Sequence, residues 1–319
     1  MAQANSISAI PVQIFADYII EKLRKSNPHL ACAVDESGKV LAGAVVHIPQ
    51  AGASPTVVKN RKNFPGVSVQ RTDSFVTYPL DVYTTTPTHV PWHEENEISY
   101  DKTDSVLNDH VATLIEAVGD DMIYNWLGGA KADGSSDAIP VANIISTTGG
   151  AVDATEAGQT GKRKAFTYKE LQTAQALMNK QNIAKENRYA MLESYQYQQF
   201  IDSLSANQMA AFAGSADLTN GVVGKFAGFS IMERSSVVTL TAANKVKASN
   251  EVFAATDNVG ALCWQRDSVA KAQGDIKPFQ EVDSPTYYGD IFSALVKFGG
   301  RCRRQDWAGM VVIAQGATA

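Results

Sequence analysis

Residues 39–92 read KVLAGAVVHIPQAGASPTVVKNRKNFPGVSVQRTDSFVTYPLDVYTTTPTHVPW, and the distribution of charge along this stretch and beyond it is uneven. From Gly38 to Gln70 there are bases (Lys39, Lys59, Arg61, Lys62) and no acid. From residue 73 to 104 the sign reverses, with Asp73, Asp81, Glu94, Glu95, Glu97, Asp101 and Asp104 against the single base Lys102. Val45, Val46 and Ile48 supply β-branched side chains to a strand over Lys39 to Pro49. Gln50 to Gly66 is rich in Pro, Gly and Asn and reads as a loop. Ser74 to Val90 alternates as a return strand, with Val76, Tyr78, Leu80 and Val82 on one face. Pro79 and Pro87 confine it to an edge or a free-standing ribbon. A lone hairpin is marginal in water, so a basic tip and an acidic far end point to support from an identical neighbour.

Outward from this hairpin, a helix is predicted over about Lys102 to Leu127. Val106, Leu107, Val111, Leu114, Ile115, Val118, Met122, Ile123 and Trp126 recur at helical spacing. Asp101 is its expected cap and Gly128-Gly129 its stop. Asp104, Asp109, Glu116, Asp120 and Asp121 form its acidic face. The last two stand at the negative end of the helix dipole, which calls for an external cation. Upstream, residues 10–26 read as an amphipathic arm helix stopped by Asn27-Pro28. Downstream, 128–166 is a Gly/Ser/Thr-rich surface excursion with a strand over Ile139 to Ile145. A capping box, Thr167-x-x-Glu170, opens a helix to Gln181. Arg188 to Leu192 reads as a strand, Ser194 to Leu204 as a helix capped by Ser194, and the remainder as mainly β. A short helix is expected near Asp267 to Gln273, then closing strands Asp290 to Arg304 and Gly309 to Ala314.

The 319 residues suit about two domains, and a net charge of −5 gives no footprint for tight nucleic-acid binding. Cys32, Cys263 and Cys302 are widely spaced and odd in number, so free buried thiols are expected. Neither a cleaved signal nor an apolar span is present. No catalytic residue, cofactor site or metal site is found. His89 and His93 flank Pro91 and do not share a helical face, and Gly-x-Ser-x-Gly, Gly-x-Gly-x-x-Gly and phosphate-loop patterns are absent. Arg301, Arg303 and Arg304 form the densest basic patch, expected to be structural or to meet a neighbour, with nucleic-acid phosphates as the alternative.

Four further stretches carry a resemblance. Gly221-Val-Val-Gly224-Lys-Phe-Ala-Gly228-Phe-Ser-Ile-Met-Glu-Arg-Ser235 looks like a strand-turn-strand, and Trp264-Gln-Arg-Asp-Ser-Val-Ala270 like a late helix. Tyr287-Tyr288-Gly289-Asp290 leads into the long strand, and Arg304-Gln-Asp-Trp-Ala-Gly-Met-Val-Val-Ile313 looks like a closing hairpin. With the order of elements from about residue 10 to 315, these resemble the major capsid proteins of tailed bacteriophages, the Hong Kong 97-like capsid fold. That resemblance implies an α+β chain with an N-terminal arm (1–38) and an extended β-hairpin loop (39–100). A peripheral domain with the spine helix (101–190) follows, then an axial domain (191–275) and return strands of the peripheral domain (276–319).

The implied function is a structural, non-enzymatic shell subunit. It self-assembles as pentamers and hexamers into the icosahedral head that encloses double-stranded DNA, contacted weakly and without sequence specificity. No coiled scaffolding region precedes the arm, so the resemblance implies a separate scaffolding protein or a prodomain absent from this sequence, together with a portal and a cement protein. The expected location is the virion, with the host cytoplasm before assembly, and no membrane is involved. In relatives the extended loop lies over a neighbour, so Lys59, Arg61, Lys62 and Arg71 are expected to face Glu94, Glu95, Asp104, Asp109, Glu116, Asp120 and Asp121 of an adjacent copy. An encapsulin-type compartment shares the fold and is the near alternative. A soluble hydrolase or metal-dependent enzyme is the distant one.

Overall fold

Two strands, Asn258–Gln265 and Met310–Ala314, are buried at every position. Continuous burial of this kind belongs to strands covered on both faces. The computed structural model describes residues 24–38, 45–92, 102–128, 138–215, 222–249 and 251–317. It divides into two compact units, one of Met1–Arg24, Thr84–Leu114 and Ile276–Leu295, the other of Lys25–Tyr83, Ile115–Asp275 and Val296–Ala319. The arm helix expected over residues 10–23, the strand residues 39–44, Glu94, Glu95 and the Asp101 cap lie outside the described residues.

The larger unit is built on a seven-stranded sheet. Its order is Val222–Phe226, Phe229–Arg234, Arg188–Glu193, Asn258–Gln265, Met310–Ala314, Ile144–Ser146, with Val238–Leu240 also paired to Asn258–Gln265. Phe229–Arg234 runs parallel to Arg188–Glu193, and Ile144–Ser146 parallel to Met310–Ala314. Alternate residues of each strand go to opposite faces. On one face Ala190, Leu192, Phe229, Ile231, Ala261, Cys263, Val311 and Ile313 meet three helices, Tyr168–Lys180, Ser194–Ser203 and Ala206–Ala213. Leu171, Ala174, Met178, Phe200 and Phe212 are the helical side of that core. On the other face Trp264 packs its ring 5.8 Å from Trp126 of the long helix Lys102–Gly128. Burial of large apolar side chains, about 1.5–3 kcal/mol each, is the main favourable term.

Local sequence accounts for the ends of these elements. Glu170 is buried, and its carboxylate accepts from the Thr167 N–H (2.8 Å) and hydroxyl (2.5 Å), and from the Thr148 N–H and hydroxyl (2.7 Å each). The turn between Val222–Phe226 and Phe229–Arg234 has Ala227 at φ 47° and Gly228 at φ 75°, the left-handed pair that suits a two-residue hairpin. In the smaller unit, Lys277–Ser284 pairs antiparallel with the first half of the long strand Gly289–Cys302, and Thr88–Pro91 pairs with Gly289 to Phe292.

Several sequence expectations are corrected. Arg24 to Ser26 are not helical, and Pro28–Cys32 is a 3-10 turn. The single return strand is three, Ser74–Pro79, Asp81–Thr84 and Thr88–Pro91, because Pro79 and Pro87 supply no N–H to a ladder. The helix near Asp267 is a 3-10 turn, Arg266–Ser268, followed by the strand Val269–Gln273. Trp264 to Ala270 is therefore not a helix either, because Val269 to Gln273 pair with Cys302 to Phe298 and that ladder overrides local propensity. Glu193, rather than Ser194, caps the helix Ser194–Ser203, accepting from the N–H groups of Tyr195 and Gln196. The helix Ala206–Ala213 was not anticipated. The described part of 128–166 is more than an excursion, since Ile144–Ser146 joins the sheet and buried Arg163 anchors the strand Lys162–Lys164.

Candidate assembly surface

The hairpin on which the charge argument rests is built in two parts. Its base pairs Val45–Gln50 with Ser74–Pro79 in register, Val46 opposite Tyr78 and Ile48 opposite Val76. These four side chains and Leu80 are buried against Ala270 and Ala272, whose small size lets the ribbon approach the strand Val269–Gln273 closely. Polar contacts secure the same face. The Tyr78 hydroxyl donates to Glu36 Oε2 (3.0 Å), Arg301 Nη1 to the Thr77 carbonyl (2.8 Å), and Gln50 Nε2 to the Arg303 carbonyl (2.8 Å). Burial and the Glu36 carboxylate push the Tyr78 hydroxyl far above its ordinary pKa. The base is thus held by its own chain. Arg301 and Arg303 serve that packing, with Arg303 Nε 3.8 Å from Glu36 Oε1, and they do not form an open basic patch.

Beyond the base, residues 51–73 form no strand. Asp73 closes the neck, accepting from the Gly52 N–H (2.8 Å) and from Arg71 through Nε (2.7 Å) and Nη2 (2.8 Å). The Arg71 guanidinium holds the Asp73 carboxyl below the usual range. Lys59, Arg61 and Lys62 are exposed, and no ion pair is recorded for them among the described residues. Before and after them stand apolar side chains the charge pattern did not single out: Val57, Phe64, Val67 and Val69 are 78–95% exposed. Their signal in the sequence was an apolar residue recurring through a Pro/Gly-rich loop, PTVV and NFPGVSV.

The acidic face of the long helix is used largely by its own chain. Asp109 pairs with Arg24. Asp120 lies 2.6 Å from Arg234 Nη1 and 3.0 Å from Lys25 Nζ, and Asp121 accepts from the Ser249 hydroxyl. The cations demanded by the helix dipole at Asp120 are therefore internal ones. Of the residues expected to face a neighbour, Arg71, Asp109, Asp120 and Asp121 each make an intrachain contact. Asp104 accepts from Asn108 Nδ2 (3.2 Å), and Glu116 is half-buried. Glu94 and Glu95 lie outside the described residues.

Beneath the helix, His29 is fully buried, with Nε2 3.0 Å from the Gly119 carbonyl and its ring edge-on to Trp126. Burial first, then the nearby Arg234 charge, lowers its pKa from 6.5 to about 3. Cys32, Cys263 and Cys302 are free and buried, as expected.

The comparisons agree with this architecture. The family model described as phage capsid protein matches residues 11–277. No curated protein matches. Among solved structures, the Cyanophage Pam1 capsid aligns with a TM-score of 0.68 at 10% identity, covering 99% of each chain. The capsid of Ralstonia phage GP4 gives 0.65 at 13% identity, covering 100% of this chain and 99% of that one. A Mycobacterium phage Che8 chain gives 0.63 at 16% identity, covering 97% and 98%. At such identities the structures speak for the fold, and the family match speaks for membership. The chain belongs to the phage capsid protein family: it is a structural, non-enzymatic major capsid protein with the Hong Kong 97-like fold, a subunit of the multi-subunit shell of a phage virion.

Proposed function

We propose that this subunit closes an icosahedral shell of pentamers and hexamers around double-stranded DNA by laying segment 51–73 across an adjacent copy. The observation that supports this reading is the contrast between a base bound to its own chain and a tip that leaves Val57, Phe64, Val67 and Val69 in water. Covering each of these is worth about 1.5–3 kcal/mol. Each rim charge is worth about 0–1 kcal/mol. Apolar contact therefore supplies the affinity, while Lys59, Arg61 and Lys62 steer approach and set register. The receiving acids of the neighbour are drawn from Glu94, Glu95, Asp104, Asp109, Glu116, Asp120 and Asp121. The parts keep the roles the resemblance assigns: arm 1–38, extended loop 39–100, peripheral domain 101–190 with return strands 276–319, and axial domain 191–275. Assembly takes place in the host cytoplasm with a separate scaffolding protein and a portal, and a cement protein decorates the finished head.

The test is a Lys59/Arg61/Lys62→Glu protein followed by light scattering and negative-stain microscopy across ionic strength. Assembly at low salt is expected to slow about tenfold or more, and the difference from the unaltered protein to shrink as salt screens the rim. Equal rates at low salt discard the steering role. Shells that form normally after Phe64/Val67/Val69→Ser discard the contact itself.

A further inference from the structure

We propose that a polar cavity beside Arg163 binds a phosphate-class oxyanion. The cavity, about 440 Å³, lies within the larger unit, and its lining holds no carboxylate among the described residues. Ser146, Thr160, Thr256, Asn258, Lys164 and Arg163 contribute to its wall. Arg163 is only 4% exposed. Its Nη1 donates to the carbonyls of Thr160 (3.0 Å) and Lys162 (3.3 Å), and its Nη2 to those of Ala255 (3.4 Å) and Asp257 (3.3 Å). Its Nε has no hydrogen-bond partner among the described residues.

These contacts are long for a guanidinium, whose charge-assisted bonds run about 2.7–2.9 Å. All four go to neutral carbonyls. The one carboxylate whose backbone touches Arg163, Asp257, is engaged elsewhere: its side chain meets Lys247 Nζ (2.7 Å) and the Ala254 N–H (2.8 Å). A buried cation that lacks an opposite charge is costly, because carbonyl dipoles solvate it without neutralising it. An oxyanion in the cavity supplies the missing charge. Exposed Lys164 adds a second cation at the rim, and the hydroxyls of Ser146, Thr160 and Thr256 add neutral donors. A divalent metal ion is disfavoured by the same lining. The shared ligand chemistry is a phosphate group, free or at the end of a nucleic-acid strand.

The purified chain is titrated with inorganic phosphate against potassium chloride of equal ionic strength, with thermal denaturation and calorimetry as readouts. A second arm compares a short 5′-phosphorylated oligodeoxynucleotide with its unphosphorylated form. Phosphate is expected to raise the unfolding temperature saturably where chloride does not. Lys164→Ala is expected to weaken binding roughly tenfold, and Arg163→Gln to abolish it. Should Arg163→Gln fail to fold, Lys164→Ala and Thr256→Val carry the comparison. A response to inorganic phosphate assigns the cavity to the free ion. A response only to the 5′-phosphorylated strand assigns it to a nucleic-acid end. No response to either, or binding unaltered in the cavity variants, overturns the proposal.

Discussion

His29 is neutral in a place where charge is penalised. Its Nε2–H donates to the Gly119 carbonyl at 3.0 Å, Nδ1 has no partner, and the cations Arg234 and Lys271 act against protonation. The unfolded chain binds this proton near pH 6.5 and the folded chain only near pH 3. Between those values the unfolded state holds more protons, so the full contribution of neutral His29 is present above pH 6.5 and is lost as pH falls. The slope is about 1.4 kcal/mol per pH unit. A His29→Phe protein, similar in shape, forfeits about 1 kcal/mol at pH 7 with the hydrogen bond. It is expected to match or exceed the unaltered protein by pH 4.5, where that protein has lost about 2–3 kcal/mol. Denaturant melts at both pH values measure it, and parallel losses in the two proteins defeat the assignment. Nothing in the local sequence Asn27-Pro28-His29 marked this residue, since its burial comes from a helix some ninety positions away.

At the scale of the element, the hairpin is the instructive case. Strand periodicity and turn chemistry located both arms and the loop between them. The charge count did not reveal that Val46, Ile48, Val76 and Tyr78 dock on Ala270 and Ala272. Because that docking stops at the Gln50–Ser74 pair, the tip adds nothing to the fold of a single subunit. Replacing residues 54–70 by a short Gly-Ser turn is expected to shift the unfolding temperature of the free subunit by less than about 3 °C, and to prevent shell formation. Calorimetry and negative-stain microscopy read the two effects separately. A large loss of subunit stability, or intact shells, contradicts the division of labour between base and tip. The long helix was equally legible, since its apolar stripe predicted Leu114, Val118, Met122, Ile123 and Trp126 as buried positions. Its acidic face was legible as charge but not as partnership, because Arg24, Lys25 and Arg234 reach it from other parts of the chain.

For the whole molecule, Cys263 lies in a central strand of the seven-stranded sheet, Cys302 ends the long strand Gly289–Cys302, and Cys32 ends the 3-10 turn Pro28–Cys32, all three buried. Burial pushes the Cys302 thiol up to about 12 and raises those of Cys263 and Cys32. The three thiols are expected to resist a soluble thiol reagent in the native protein and to react together on unfolding. Rapid native labelling of Cys263 contradicts the sheet arrangement. Odd count and wide spacing were enough to foresee free thiols, and element order was enough to foresee the α+β fold and its family. Periodicity, prolines and capping boxes act between residues a few positions apart, so the amino-acid sequence alone determined the long helix, the hairpin, the Thr167–Glu170 start and the closing strands. That Trp264 to Ala270 is not a helix was decided by pairing, of Trp264 and Gln265 with Tyr189 and Arg188 and of Val269 and Ala270 with Cys302 and Arg301. Which cations meet Asp109 and Asp120, and which histidine lost its proton, were likewise settled only when distant segments met. Burial and Coulomb partners depend on distance in space, and distance in space is what the fold alone supplies.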